Sequence, residues 1–235
     1  MDKAAFITGS STGIGKEISE LLLSKNYRVF GYSRTNTIQH PNFFFTKTDL
    51  SNVEETQKIQ FPKIDSNEVL LINNAASIGE ILPLNLQKET DIINDYNLNI
   101  ISPTILCSKF IKSFNSKQKI LLNISSGAAN SSIACWGTYC ATKSALDRLT
   151  NVLAEENHCK LTTFSVHPGV VNTKMQERIR SSDPNVFPLL HKFTSYYSNN
   201  ELEHPKNIAR KLFYIIQNHT KFHQNILSIR DIDIK

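Results

Sequence analysis

The sequence predicts an α/β domain, doubly wound, with a mainly parallel seven-stranded sheet and helices on both faces, and three observations carry this. Short apolar runs alternate along the chain with stretches of helical periodicity, which implies right-handed crossovers between parallel strands. The first run, at residues 4–7, opens directly into a turn holding Gly9, Gly13 and Gly15. At 235 residues and 40% hydrophobic content, the chain fits one domain over residues 1–235 with a large core.

Strand one spans residues 3–8 and is apolar at successive positions, as a strand covered on both faces must be. Thr8-Gly9-Ser10-Ser11-Thr12-Gly13-Ile14-Gly15 follows, and Ile14, Ile18, Leu21 and Leu22 then set a helical period. The glycines therefore lie in a strand-to-helix turn, where a missing Cβ permits a tight bend and lets a pyrophosphate approach the helix amino end. Their spacing differs from the commoner Gly-x-Gly-x-x-Gly dinucleotide fingerprint, so strand before and helix after are what give the turn its meaning.

Strand two, residues 27–32, ends at Ser33 and Arg34. An acidic residue that holds a ribose 2′-hydroxyl usually lies near this point; here Arg34 offers a planar fork that can pair with a 2′-phosphate. The residues argue for NADP over NAD, the competing reading being a solvated loop charge. The link to strand three, residues 42–47, contains Pro41 and is too short for a crossover helix, so coil or a single turn is expected, with one sheet face more exposed than usual. Asp49 and Leu50 follow that strand, Asp49 being a candidate ligand contact or a plain helix cap.

Strand four, residues 68–73, runs into Asn73-Asn74-Ala75-Ala76. Asn99 lies in the helical stretch 86–115, where it could equally be satisfied by neighbouring backbone. Strand five, residues 119–124, ends at Ser125-Ser126-Gly127, and strand ends are where open α/β sheets place chemistry. Thirteen residues on, Tyr139 and Lys143 stand four apart on a helix and share one face. A free phenol titrates near ~10, and an adjacent ammonium favours the phenolate, moving it toward acid/base work at neutral pH. Such a pair also occurs on many exposed helices, so its company decides its meaning. Strand six, residues 160–167, leads to Pro168-Gly169, Val171 and Thr173, and strand seven spans residues 225–228.

Together these residues resemble the short-chain dehydrogenase/reductase family from residue 3 to about residue 229: the glycine turn, Asp49-Leu50, Asn73-Asn74-Ala75-Ala76, Asn99, Ser126, Tyr139 with Lys143, and Pro168-Gly169 with Thr173 occur in the family's order. The stretches 123–129, 136–140 and 168–173 are similar to its benzil reductase branch, itself similar to sepiapterin reductases. The resemblance implies a Rossmann-type domain that reduces a carbonyl, an α-diketone such as benzil or a related small ketone, with NADPH. Tyr139 would give the proton, Ser126 would hydrogen-bond the same oxygen, Lys143 would lower the Tyr139 pKa and hold the nicotinamide ribose, and Asn99 would hold a water in the relay to Lys143.

For the cofactor it implies Gly9, Ser11, Thr12, Gly13, Ile14 and Gly15 at the pyrophosphate, Ser33 and Arg34 at the 2′-phosphate, and Asp49 with Leu50 at the adenine. Asn73 and Ala75 would border its ribose, Asn74 and Ala76 would also lie against the cofactor, and Pro168, Gly169, Val171 and Thr173 would pass the carboxamide. Ala76 departs from the family's usual glycine and adds one methyl. Substrate contacts would come from Ser126, Tyr139, Trp136 and Met175, Trp136 being equally suited to core. Residues 172–200 would form a lid, and the segments 138–157 and 86–115 would pair two copies into a homodimer or build a tetramer. A non-enzymatic dinucleotide sensor, and an enzyme working mainly as an alcohol dehydrogenase, are the alternatives.

Net charge is +5 with the lysines spread out, which argues against nucleic-acid binding. No apolar run reaches the ~18 residues needed to span a bilayer, and the first strand begins too near Met1 for a signal peptide, so a soluble cytoplasmic protein is expected. Cys107, Cys135, Cys140 and Cys159 show no disulfide or metal pattern and read as buried small hydrophobes. His158, His167, His191 and His204 have no metal-site spacing.

Overall fold

Seven strands form one fully parallel sheet in the order β3-β2-β1-β4-β5-β6-β7 in the computed structural model, which describes residues 3–115 and 117–234. They are β1 (Lys3–Thr8), β2 (Arg28–Ser33), β3 (Phe43–Lys47), β4 (Glu68–Asn73), β5 (Gln118–Ile124), β6 (Leu161–His167) and β7 (Ile226–Ser228). All seven expected strands are present, with ends moved by at most one residue. Strand order runs outward one way from β1 to β3 and the other way from β4 to β7. A crevice therefore opens at the carboxyl ends of β1 and β4, where the direction of winding switches.

Period-two alternation divides the core. Ala5 and Ile7 of β1 point to one face with Leu70, Ile72, Ile120 and Leu122, where α1 (Gly13–Ser24) and α8 (Pro205–Gln217) cover them with Ile18, Leu22, Ile208 and Leu212. Phe6, Val69, Leu71 and Leu121 point to the other face, beneath Leu106 and Phe110 of α4 (Ser102–Ser113) and Leu153 of α5 (Gly137–Glu155). Both faces are dry, which is why the strands read as unbroken apolar runs. α2 (Val53–Lys58) and α3 (Glu89–Tyr96) complete this layer, and a π-helical turn, Asn97–Ile101, joins α3 to α4. Lys119 is a fully buried exception in β5; its Nζ donates to the carbonyls of Phe114, Asn115, Lys117 and Cys159, tying the ends of α4 and β6 to the strand.

Between β2 and β3 there is no helix, as expected, and β3 is largely exposed, with one face there sealed by other means. Ile38 enters the core from the loop with 5% exposure. Phe43 lies across Gly31, where a Cβ would meet the ring at 2.5 Å. The exposed ring of β3 is Phe44, on the opposite face, stacked on Phe30 at 4.9 Å. Thr37 donates to the Ser11 carbonyl at 2.8 Å and fastens the loop to the glycine turn. The cysteines follow the expectation only in part: Cys107 is buried, Cys135 and Cys140 are half-buried, and Cys159 is exposed on the turn before β6.

Ile38→Ala should lower unfolding free energy by about 2–4 kcal/mol, because it empties the side chain that replaces the missing helix. Equilibrium denaturation measures this, and a loss below the size of a surface substitution would show that the loop does not seal the sheet.

Candidate active site

The glycine turn is shaped by contacts that leave no room for side chains. Gly9 and Gly13 adopt φ of +66° and +55°, the left-handed region that glycine enters freely. A Cβ on Gly15 would collide with the Gly9 carbonyl and the Asn74 side-chain amide, and one on Gly9 would meet Asn74 and Ala75 at 2.9 and 3.0 Å. Thr8 and Asn74 hold this arrangement: the Thr8 hydroxyl accepts from the main-chain N–H groups of Asn74 and Ala75 at 2.9 and 3.0 Å, and the Asn74 amide donates to the carbonyls of Thr8 and Gly9. The α1 helix begins directly after Thr12 with no side-chain cap and no acidic residue in its first turn. Its first N–H groups and Cβ-free cradle suit a bound diphosphate, which is how these residues fit the dinucleotide that the turn implies.

Ser33 is buried and donates to the Thr35 carbonyl at 2.8 Å, whereas Arg34 is exposed. Arg34 has a carboxylate for company: burial works to raise the Asp49 carboxyl, but bonds from Ser51 and the Arg34 charge outweigh it and hold the group below its ordinary value. Asp49 accepts from the Ser51 N–H and hydroxyl at 3.0 and 2.7 Å; the cap of α2 is Asn52, which accepts from Glu54 and Glu55. The helix-cap reading of Asp49 is thereby corrected. Leu50 is buried and its carbonyl accepts from Ser102 at 2.7 Å. Asn73 is turned away from the crevice: its amide donates to Asn123 at 2.9 Å inside the core, because β4 alternation sends position 73 inward. Ala76 has no left-handed φ, so its methyl costs no backbone strain.

Ser126, Tyr139, Lys143 and Asn99 converge beyond the end of β5. Helix spacing brings the Lys143 ammonium to 5.7 Å from the Tyr139 ring centroid. Lys143 Nζ donates to the Ile124 carbonyl at 2.7 Å, and the Ser126 hydroxyl accepts the Ala128 N–H at 3.1 Å. Asn99 sits in the π turn: its Oδ1 accepts from Ser77 N–H and its Nδ2 donates to the Ser77 carbonyl, both at 2.9 Å, and to Thr142 at 3.3 Å. Through Asn99, Ser77 and Thr142, the latter missed by the sequence reading, lock the 77–80 loop against α5.

Burial reverses the expected direction of the Tyr139 shift. The low dielectric pushes the phenol up to about 12, with the Cys140 thiol adding to the rise and hydrogen bonding from Ser126 opposing it. The same cause pulls Lys143 down to about 8, with the Asp147 charge opposing. Desolvation exceeds what opposes it at each group, the Ser126 bond at the phenol and the Asp147 charge at the ammonium, so in this structure the phenol keeps its proton at neutral pH.

Above Tyr139 lies a third apolar cluster. Trp136 meets Tyr139 edge-on at 5.7 Å and stacks on Phe187 at 5.6 Å, and its Nε1–H is buried without a partner among the described residues. Phe187 and Phe193 come from the insertion that carries α6 (Lys174–Arg180) and α7 (Leu190–Ser198). Met175 Sδ lies 4.0 Å from the Tyr139 hydroxyl. Two residues earlier, Thr173 meets the place of a Gly13 Cβ at 3.2 Å, so one short segment touches both the glycine turn and the phenol. Pro168 and Val171 are buried in the chain that leads there, and Gly169 turns with φ of +74°. A backbone bridge between Val171 and Glu203 closes the base of the insertion.

The family model for short chain dehydrogenase matches residues 3–184. A benzil reductase ((S)-benzoin forming) of Bacillus subtilis (strain 168) is 32% identical over 228 residues, covering 92% of this chain and 93% of its own. A sepiapterin reductase of Mus musculus is 34% identical over 242 residues, covering 91% of each chain. Among solved structures, a short chain dehydrogenase/reductase from Saccharomyces cerevisiae superposes with a TM-score of 0.82 at 23% identity, over 97% of this chain and 96% of that one. A 4-hydroxyisoleucine dehydrogenase complexed with NADH gives a TM-score of 0.78 at 23% identity over 96% of each chain. These structural likenesses establish the fold.

Gly15→Ala should destabilise the protein by about 1–3 kcal/mol through overpacking against Gly9 and Asn74. Thermal or denaturant unfolding tests it, and unchanged stability would mean that the turn is looser than its contacts indicate.

Proposed function

The chain belongs to the short-chain dehydrogenase family and is an oxidoreductase; from that premise we propose that it reduces carbonyl groups with NADPH, taking α-diketones such as benzil or related small ketones to secondary alcohols. One observation carries the reading: a buried phenol that keeps its proton, Tyr139, stands with Ser126 and Lys143 at the end of β5, joined through residues 173–175 to the glycine turn. A reduction needs a proton donor at the oxygen where negative charge collects, and a neutral phenol is one.

The residues of this chain then divide the work. Tyr139 passes its hydroxyl proton to the carbonyl oxygen. Ser126, its Oγ oriented by the Ala128 N–H, donates to the same oxygen. Lys143 stabilises the phenolate left behind and draws a proton to it, with Asn99 holding the water of that relay beside Thr142 and Ser77. When bound, the dihydronicotinamide supplies the hydride; Tyr139 and Lys143 hold its ribose and Pro168, Gly169, Val171 and Thr173 border its carboxamide. Gly9, Ser11, Thr12, Gly13, Ile14 and Gly15 receive the diphosphate. Asp49 and Leu50 receive the adenine, and Asn74, Ala75 and Ala76 its ribose. Arg34 with Ser33 selects the 2′-phosphate, Arg34 exchanging the field of Asp49 for that anion.

Residues 172–200 act as the lid, and Trp136 and Met175 contact substrate beneath it, the unpartnered Trp136 N–H serving as a donor there. No helix among the described residues is long and apolar enough to cross a membrane, and the four free thiols suit a reducing compartment, so we place the protein in the cytoplasm. Leu84, Leu86, Ile93, Ile101 and Val152 are exposed large hydrophobics on residues 84–101 and on α5. We read this face as the homodimer surface, with a tetramer as the larger alternative.

Tyr139→Phe should abolish NADPH oxidation with benzil, a loss of at least about 10²-fold, and leave NADPH binding intact. Retained turnover would overturn the role of Tyr139, and tight binding with no turnover of any carbonyl by the wild-type protein would favour a redox sensor. Arg34→Ala should raise KM for NADPH about tenfold or more and leave KM for NADH unchanged, which steady-state kinetics with each cofactor measures. Equal effects on both would remove Arg34 from phosphate selection.

A further inference from the structure

A buried carboxylate one helical turn beyond Lys143 has no part in the scheme above. Asp147 is 8% exposed, and four residues on α5 place it on the Lys143 face. Its Oδ1 accepts the Ser165 hydroxyl at 2.5 Å and its Oδ2 meets His167 Nε2 at 2.8 Å. Ser165 and His167 both come from β6, so the carboxylate is clamped between helix and sheet. Burial works to raise its pKa, but bonds from His167, Ser165 and Ser125 together hold it below the ordinary carboxylate value, so the charge persists at neutral pH. Buried carboxylates are costly unless they are paired, and this one is paired by Ser165 and His167 of β6.

Resting on the reading of Lys143 as the group that supports Tyr139, we propose that Asp147 is a positioning residue, fixed by Ser165 and His167 one helical turn from Lys143, whose negative charge stabilises the buried Lys143 ammonium. Lys143 is 2% exposed and, among the described residues, its Nζ has a single neutral acceptor, the Ile124 carbonyl. The other groups around it supply little compensation. The phenol of Tyr139 is uncharged, the π turn brings the amide of Asn99, and β5 brings Asn123 and Ser125. From α3 the buried charge is Asp95, bonded to Ser77, and β6 brings His167, which already faces Asp147. β7 brings Ser228, whose hydroxyl accepts from the Arg230 N–H.

The test is the pH dependence of kcat/KM for NADPH-driven benzil reduction, in the full chain. With Lys143 held near 8, the wild-type profile should fall on its alkaline side near pH 8. Asp147→Asn should move that limb to lower pH by about one unit, which is about tenfold less activity above both limbs, and Asp147→Glu should restore it. Asp147→Ser, which also removes the charge but is smaller, repeats the test if the asparagine variant does not fold. Titration of the Lys143 side-chain nitrogen by 15N NMR, assigned with Lys143→Arg, should show the same downward midpoint without any turnover. A folded, charge-free variant whose limb and midpoint stay in place would overturn the inference, even if its activity dropped uniformly. Absence of carbonyl reduction by the wild-type protein would instead defeat the reductase reading, while the nitrogen titration would still decide the role of Asp147.

Discussion

A parallel sheet covered on both faces confines exposed polar side chains to the ends of its strands, and the groups gathered at the carboxyl ends are what the rest of this molecule is arranged around. Ser33, Asn74, Ser125, Ser126 and His167 all lie there, each with a hydrogen bond. Several polar groups buried elsewhere are paired inside the protein, as in the amide and hydroxyl chain Asn73–Asn123–Thr150 and the four carbonyls around Lys119. The switch in winding between β1 and β4 then turns this rim into a crevice, and the Thr8–Asn74 bonds across it hold the two adjoining strands in step.

Energetics at the rim are a contest between solvent removal and charge. Tyr139 and Lys143 are each driven toward their neutral forms by the same cause, and neither is exposed enough for water to relieve it. Nearby groups act on this balance from defined directions: Ser126 on the phenol and Asp147 on the ammonium. The protonation of both groups therefore depends on their neighbours as much as on each other. The apolar cluster of Trp136, Phe187 and Phe193 deepens the effect by keeping water from the phenol.

The strands, the glycine turn and the convergence of Ser126, Tyr139 and Lys143 were legible in the sequence because each has a local signature: a run of apolar residues, a spacing of glycines, or a separation of four on a helix. Local signatures also misled. Asp49 and Asn52 are both good capping residues within four positions, and only the observed hydrogen bonds choose Asn52. Asn73 and Asn74 are adjacent, yet strand alternation sends one into the core and the other to the turn. The sign of the Tyr139 shift was misjudged because a sequence shows the neighbouring ammonium and does not show how completely both are buried. Ser165 and His167 stand about twenty residues from Asp147, so their clamp exists only in space; the separation of four between Lys143 and Asp147 was the one available clue. The π turn at Asn99 left no recognisable mark in its residues.

The backbone bridge at the base of the insertion has a consequence for how such a protein diversifies. Asn172 N–H donates to the Glu203 carbonyl at 2.9 Å and Glu203 N–H donates to the Val170 carbonyl at 3.0 Å, so the chain leaves and rejoins the body at one point through main-chain atoms. Beneath those main-chain bonds the Val171 side chain packs into the core and fixes the junction to the body. Within the thirty or so residues between, the parts that do not pack on Tyr139, Trp136 or the glycine turn can vary while the sheet beneath keeps its register, which lets molecular selectivity drift on an unchanging chemical platform.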